Sequence, residues 1–163
     1  YRDLKLSNII INKELKLFLI DFGFVKKLET IDSMTQTSCG TFHMKPPEIF
    51  HVLKKKLTEY NPFCYDIYSI GVIMYEIYYG KPPFNYYSLV NNKNNINEDE
   101  YLKLLEKGID DSFFDSEIDK DLKELIKKCM DIDPKKRPNI IEIEKSKLFE
   151  KNGGFEKLRN INH

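Results

Sequence analysis

The sequence predicts a mainly α fold that carries one small β-hairpin close to its N-terminus. Three observations point there. Ile9-Ile10-Ile11 and the alternating Leu15, Leu17 and Leu19 flank Asn12-Lys13-Glu14, the pattern of two short strands joined by a turn. From about Cys64 to Tyr79 the chain is apolar nearly all round, which predicts a buried helix on which others pack. Three amphipathic stretches follow, over about residues 98–107, 119–130 and 139–150.

Taken in order, Ile9-Ile10-Ile11 is expected as a short buried strand and Leu15 to Ile20 as a second strand of period two. Residues 24–45 are polar, rich in Thr and Ser and without periodicity, which predicts a long functional loop. Pro46-Pro47-Glu48 opens a short helix through about Leu53, since proline suits a first helical turn. Gly80 is placed to end the long apolar helix, and Lys81-Pro82-Pro83-Phe84 forms a rigid turn after it. Residues 91–100, Asn-rich with a small acidic cluster, read as a solvated loop. Asp133-Pro134 and Arg137-Pro138 punctuate the last connection. The sequence contains no internal repeat and no second domain.

At 163 residues the chain can bury one sizeable core. Lys plus Arg (26) equals Asp plus Glu (26), so the overall charge points neither to nucleic acid nor to an anionic membrane. No apolar run is long enough to span a bilayer. Cys39, Cys64 and Cys129 are odd in number and widely spaced, which fits reduced thiols of an intracellular protein, cytoplasmic or nuclear. His43, His51 and His163 have no metal-ligand spacing with them, so zinc is not expected.

The chemistry gathers in the first 23 residues, in Tyr1-Arg2-Asp3-Leu4-Lys5-Leu6-Ser7-Asn8 and Asp21-Phe22-Gly23. This order sets two carboxylates, an amide and an ammonium at the ends of adjoining short strands. Phosphoryl transfer needs such a set. Asn8 and Asp21 offer the oxygens that magnesium prefers, and Asp3 can accept the proton of the attacking hydroxyl.

These residues resemble the catalytic loop and the metal-binding Asp-Phe-Gly of eukaryotic protein kinases. The resemblance covers nearly the whole chain and only the second, C-terminal lobe of such a domain. It implies a helical lobe over residues 1–150 whose small hairpin carries the catalytic and Asp-Phe-Gly loops. The activation segment would span about 21–48, and 151–163 would begin a C-terminal tail, Phe155 to Asn160 resembling its start. The Gly-rich loop, the strand Lys and the helix Glu belong to the N-terminal lobe, and this sequence contains none of them.

The resemblance also assigns roles. Asp3 is the catalytic base, and Lys5 stabilises charge on the transferred phosphoryl group. Asn8 and Asp21 bind Mg2+, Ile10 lies beneath the adenine of ATP, and Phe22 and Tyr1 stack. Asp-x-Lys-x-x-Asn is similar to the serine/threonine kinases, so protein Ser/Thr hydroxyls are the expected substrates. Tyr-Arg-Asp and Thr37-Ser38-Cys39-Gly40-Thr41 look like the cyclic-nucleotide-dependent (AGC) group. There, Thr37 would be phosphorylated by an upstream activating kinase and held by Arg2 and Lys26. Thr41 would hydrogen-bond Asp3 and Lys5. Glu48 and Arg137 resemble a buried ion pair, and Asp66 an Asp that caps a helix and holds the catalytic-loop backbone.

Several positions depart from the pattern. Met44 and Pro46 replace the usual Tyr and Ala, beside the substrate residue that follows the acceptor. Glu76 matches an acidic residue that reads an upstream Arg, while Ser7 stands where a second acid is common. Two other readings remain: a non-catalytic kinase-like lobe serving as a protein-binding scaffold, and a kinase of the aurora or polo type, which Pro46-Pro47-Glu48 also resembles.

Overall fold

The computed structural model describes residues 1–89 and 96–153, without the side chains of Tyr87 and Ser88. The expected tail at Phe155 to Asn160 and residues 91–95 of the Asn-rich loop lie outside the described residues, and residues 98–100 of that stretch are helical.

Two short strands, β1 (Ile9–Ile11) and β2 (Leu17–Leu19), pair antiparallel with Ile9 opposite Leu19 and Ile11 opposite Leu17. Six α-helices follow among the described residues: α1 (Pro47–Leu53), α2 (Pro62–Tyr79), α3 (Glu98–Lys107), α4 (Lys120–Cys129), α5 (Ile140–Glu144) and α6 (Lys147–Lys151). The expected mainly α fold with one hairpin is therefore the fold observed.

The second strand is shorter than expected. The Asn12 side chain accepts the amides of Glu14 (3.0 Å) and Lys16 (2.9 Å), and Leu15 takes φ 61°, so the turn consumes residues assigned to the strand. The hairpin is also not buried. Ile11 is 60% exposed and Leu17 67%, because no third strand or helix covers that face among the described residues.

Helix α2 starts two residues before the expected Cys64. Asn61 accepts the amides of Phe63 (2.9 Å) and Cys64 (3.3 Å), and Pro62 fills the first turn. Gly80 closes the helix in the left-handed region at φ 69°, as expected. The helix is central but not buried all round, since Ile77 is 68% exposed.

Tyr68, Val72, Ile73 and Tyr75 of α2 pack with Tyr101, Leu102 and Leu105 of α3 and Ile126 of α4. A smaller cluster joins Ile67 to Leu125, Cys129 and Ile143. Full burial of each large apolar side chain contributes about 1.5–3 kcal/mol, so this interface dominates the lobe's stability. Gly71 sets the α2–α4 distance. A Cβ there would fall 2.6 Å from Met130 Cγ and 2.9 Å from Cys129 Cβ.

Asn97, Asp119 and Asn139 cap α3, α4 and α5, Asn139 through a reciprocal box with Glu142. The expected helix over 139–150 is two short helices. Ser146 takes extended geometry between them, as a residue that favours caps over helix interiors. No helix among the described residues is long and apolar enough to cross a membrane.

Candidate functional site at the hairpin base

The site forms where the two hairpin strands meet the loop before α1. Asn8 closes a single 3-10 turn over Leu6–Asn8, and its carbonyl accepts the Ile20 amide at 3.0 Å. That bond extends the ladder by one pair, so Asp21 emerges beside Asn8 at the same end of the hairpin. Arg2 (φ 69°) and Asp21 (φ 63°) both take left-handed geometry. Such conformations cost on the order of 1–3 kcal/mol each for non-glycine residues and persist where the surroundings enforce them.

Asp66 does part of the enforcing. Its carboxylate accepts the backbone nitrogens of Tyr1 (2.6 Å) and Arg2 (2.7 Å). The expected helix-capping role belongs instead to Asn61, since Asp66 lies one turn inside α2. Arg2 also donates Nε to the Phe24 carbonyl at 2.8 Å, and the Tyr1 hydroxyl donates to the Ile20 carbonyl. Tyr1 and Phe22 meet edge to face, their centroids 5.7 Å apart, which agrees with the expected stack.

Asp3 is 3% exposed and fully engaged. One oxygen accepts the Thr41 amide and hydroxyl, both at 2.7 Å. The other faces Lys5 Nζ at 3.0 Å and Asn8 Nδ2 at 3.1 Å. Lys5 Nζ also donates to the Thr41 hydroxyl at 2.8 Å, so the three residues form a closed ring of contacts. Burial pushes the Asp3 carboxyl up, but the Thr41 hydroxyl, Lys5 and the Thr41 amide outweigh it. The net effect holds the carboxyl below its ordinary range.

Gly40 makes the ring possible. It sits at φ 84°, and a Cβ would lie 2.3 Å from both the Arg2 carbonyl oxygen and the Tyr65 hydroxyl. Tyr65 donates to the Cys39 carbonyl (3.3 Å) and Tyr60 to the Thr37 carbonyl (2.9 Å). These two hydroxyls pin the segment before Thr41. Both are buried, and burial pushes the Tyr60 phenol up to about 12 against the pull of Arg2. Sequence reasoning missed them, because tyrosines at the mouth of a buried helix look like ordinary core.

Thr37 is exposed. Lys26 donates to the Thr35 hydroxyl at 3.0 Å rather than to Thr37. Arg2 is buried, and among the described residues its Nη1 has no hydrogen-bond partner. Ile10 stands 48% exposed on the open hairpin face. Glu48 and Arg137 form a two-pronged ion pair at 2.6 and 2.9 Å, far from Asp3 in sequence and joining α1 to the α4–α5 connection. Glu76 faces His43 Nε2 at 3.4 Å, and the His43 ring stacks flat on Tyr86.

The donors on offer at the hairpin base suit magnesium. Asn8 turns its amide nitrogen to Asp3 and keeps oxygen as its ligand atom, and Asp21 is an exposed carboxylate. A hard cation held by one or two protein oxygens completes its shell with water and phosphate.

A family profile described as the protein kinase domain matches residues 1–149. The chain belongs to the protein kinase family. It is 34% identical over 155 residues to a cGMP-dependent protein kinase of Drosophila melanogaster, covering 92% of this chain and 15% of that one. It is 34% identical over 149 residues to the serine/threonine-protein kinase PLK1 of Xenopus laevis, covering 91% and 22%. A probable serine/threonine-protein kinase of Zea mays, CCRP1, is 33% identical over 143 residues, covering 88% and 21%. The chain thus spans less than a quarter of these kinases' length. Among protein kinases its relatives are of the serine/threonine type.

Proposed function

We propose that this chain is the catalytic lobe of an active serine/threonine protein kinase that moves the γ-phosphate of Mg-ATP onto protein hydroxyls. The observation that carries it is the Asp3 carboxylate, ionised and clamped by Thr41, Lys5 and Asn8 at the base of the hairpin that presents Asp21. A scaffold has no need of a buried carboxylate ringed by donors.

In this reading the substrate Ser or Thr hydroxyl reaches Asp3, which orients it and takes its proton as the oxygen attacks the γ-phosphorus. The bond from that phosphorus to the β-γ bridging oxygen breaks, and ADP leaves. Lys5 stands beside Asp3 and stabilises charge on the moving phosphoryl group. Asn8 and Asp21 are the residues that would hold magnesium, whose charge offsets that of the phosphates. The shared Thr41 hydroxyl keeps Asp3 and Lys5 in register.

The reading includes a second lobe above the hairpin. Ile10, Ile11, Leu17, Phe18 and Leu19 are all at least 43% exposed, a patch of the kind that marks a docking face. This lobe alone is then expected to transfer phosphate negligibly. Thr37 is proposed as the activating phosphosite, supported by its exposure and by the buried Arg2, whose Nη1 has no hydrogen-bond partner among the described residues. A phosphate there would supply an acceptor for that Nη1. Membership of the cyclic-nucleotide-dependent group rests on Tyr1, on Thr37 to Thr41 and on the sequence of the tail, with an aurora- or polo-like assignment as the competitor.

Nucleotide binding tests the reading directly. Fluorescent ATP analogue should bind the whole parent protein with magnesium and not with EDTA, and Asp3→Asn should bind it yet fail to transfer. Binding indifferent to magnesium would point to a scaffold.

A further inference from the structure

Among the described residues Glu76 faces one basic side chain, His43, a neighbour in the fold. His43 Nε2 lies 3.4 Å from Glu76 Oε1, with the two side chains only 19% and 11% exposed. The other face of the imidazole is covered. It stacks on Tyr86 with centroids 5.1 Å apart and planes 2° from parallel.

The backbone beneath His43 has little room to swing away. Phe42 on one side packs against Tyr101 at 4.8 Å and Phe50 at 5.4 Å. Met44 on the other side is 1% exposed, and its carbonyl accepts the buried Ser69 hydroxyl at 3.3 Å. Thr41, which holds Asp3 and Lys5, is two residues from His43. On the kinase reading the segment from Thr41 to His43 borders the peptide, and Glu76 lies behind a clamped imidazole.

We infer that His43 is a specificity-determining residue that withholds the Glu76 carboxylate from basic side chains of the peptide substrate. This deepens the kinase reading and rests on it. A guanidinium or ammonium approaching Glu76 must first turn His43 off its carboxylate and off Tyr86, losing a polar contact and a stacking contact together. The substrates selected are then those without a basic residue at the position that faces Glu76. Neighbouring side chains set the selection there.

The test uses the whole parent protein and a set of acceptor peptides, each with a single Arg at one position flanking the acceptor, against an all-Ala reference. Both phosphorylation rate and binding by fluorescence anisotropy are read, as ratios to the reference within each variant. Wild type should favour no Arg position by more than about twofold. His43→Ala should gain about tenfold or more at one position, the worth of one charge-assisted hydrogen bond. His43→Phe, which keeps the stack on Tyr86, should gain similarly. His43→Gln, which keeps a donor for Glu76, should stay near wild type, and His43→Ala with Glu76→Gln should lose the gain.

A wild-type Arg preference abolished by Glu76→Gln overturns the inference, as does a His43→Ala protein with unchanged ratios. In both cases the kinase reading survives, because phosphate still moves. A parent protein that neither binds nor phosphorylates any peptide overturns both.

Discussion

Arg137 forks onto Glu48 with its two terminal nitrogens at 2.6 and 2.9 Å, while its guanidinium lies 4.9 Å over the Tyr68 ring. Its remaining donors reach the Asp131 carbonyl (2.8 Å) and the Cys64 carbonyl (3.0 Å). Three elements meet in this one side chain: α1, the start of α2 and the connection between α4 and α5. Removing one partner leaves a buried charge uncompensated. Arg137→Ala or Glu48→Ala should cost about 3–5 kcal/mol, read as a fall in the urea midpoint. Lys at 137 should recover little, because a point charge cannot fork onto a carboxylate.

Gly40 controls the ring around Asp3. Gly40→Ala places a methyl 2.3 Å from the Arg2 carbonyl oxygen and the Tyr65 hydroxyl, so the segment must shift and carry Thr41 with it. A displacement of about 1 Å at a reacting group lowers turnover about a hundredfold. Steady-state assay of the parent protein should show that loss in kcat, with nucleotide affinity nearly intact.

The Asp3 carboxyl is held below its ordinary value, so it contributes stability that is present above its unfolded value. That stability disappears as pH falls through the folded value. Thr41→Val removes the hydroxyl and keeps the amide and Lys5. The folded carboxyl value then rises toward the ordinary one, and acid unfolding followed by circular dichroism should begin at higher pH than in wild type.

Cys129 lies wholly buried between α2 and α4, and burial pushes its thiol up to about 12. The thiols of Cys39 and Cys64 are pushed up less strongly, and both side chains are half-buried. Ellman's reagent at pH 8 should leave Cys129 unlabelled in the native chain and count three thiols in denaturant. Labelling of Cys129 in mild urea should track opening of the α2–α4 interface.

Much of the fold was legible because its signals are local. Pro46-Pro47 and Gly80 mark helix ends through backbone geometry set within a few residues. Asp3, Lys5, Asn8 and Asp21 could be picked out because catalytic chemistry demands those groups in that order. What failed was non-local. The hairpin's alternation predicted a face, yet nothing local told whether anything covers it. The contact of Lys26 with the Thr35 hydroxyl lies in a loop without periodicity, and no pattern in the sequence announces it. The contact of His43 with Glu76 spans 33 residues between a loop and a helix, and neither residue's neighbours announce it.

The central claim, that Asp3 and Asp21 serve phosphoryl transfer, is tested most directly by Asp21→Asn in the whole parent protein, assayed with γ-labelled ATP and a Ser/Thr peptide. The account predicts that label on serine or threonine falls to background while circular dichroism and urea stability stay at wild-type values. Undiminished transfer by the folded variant would contradict it.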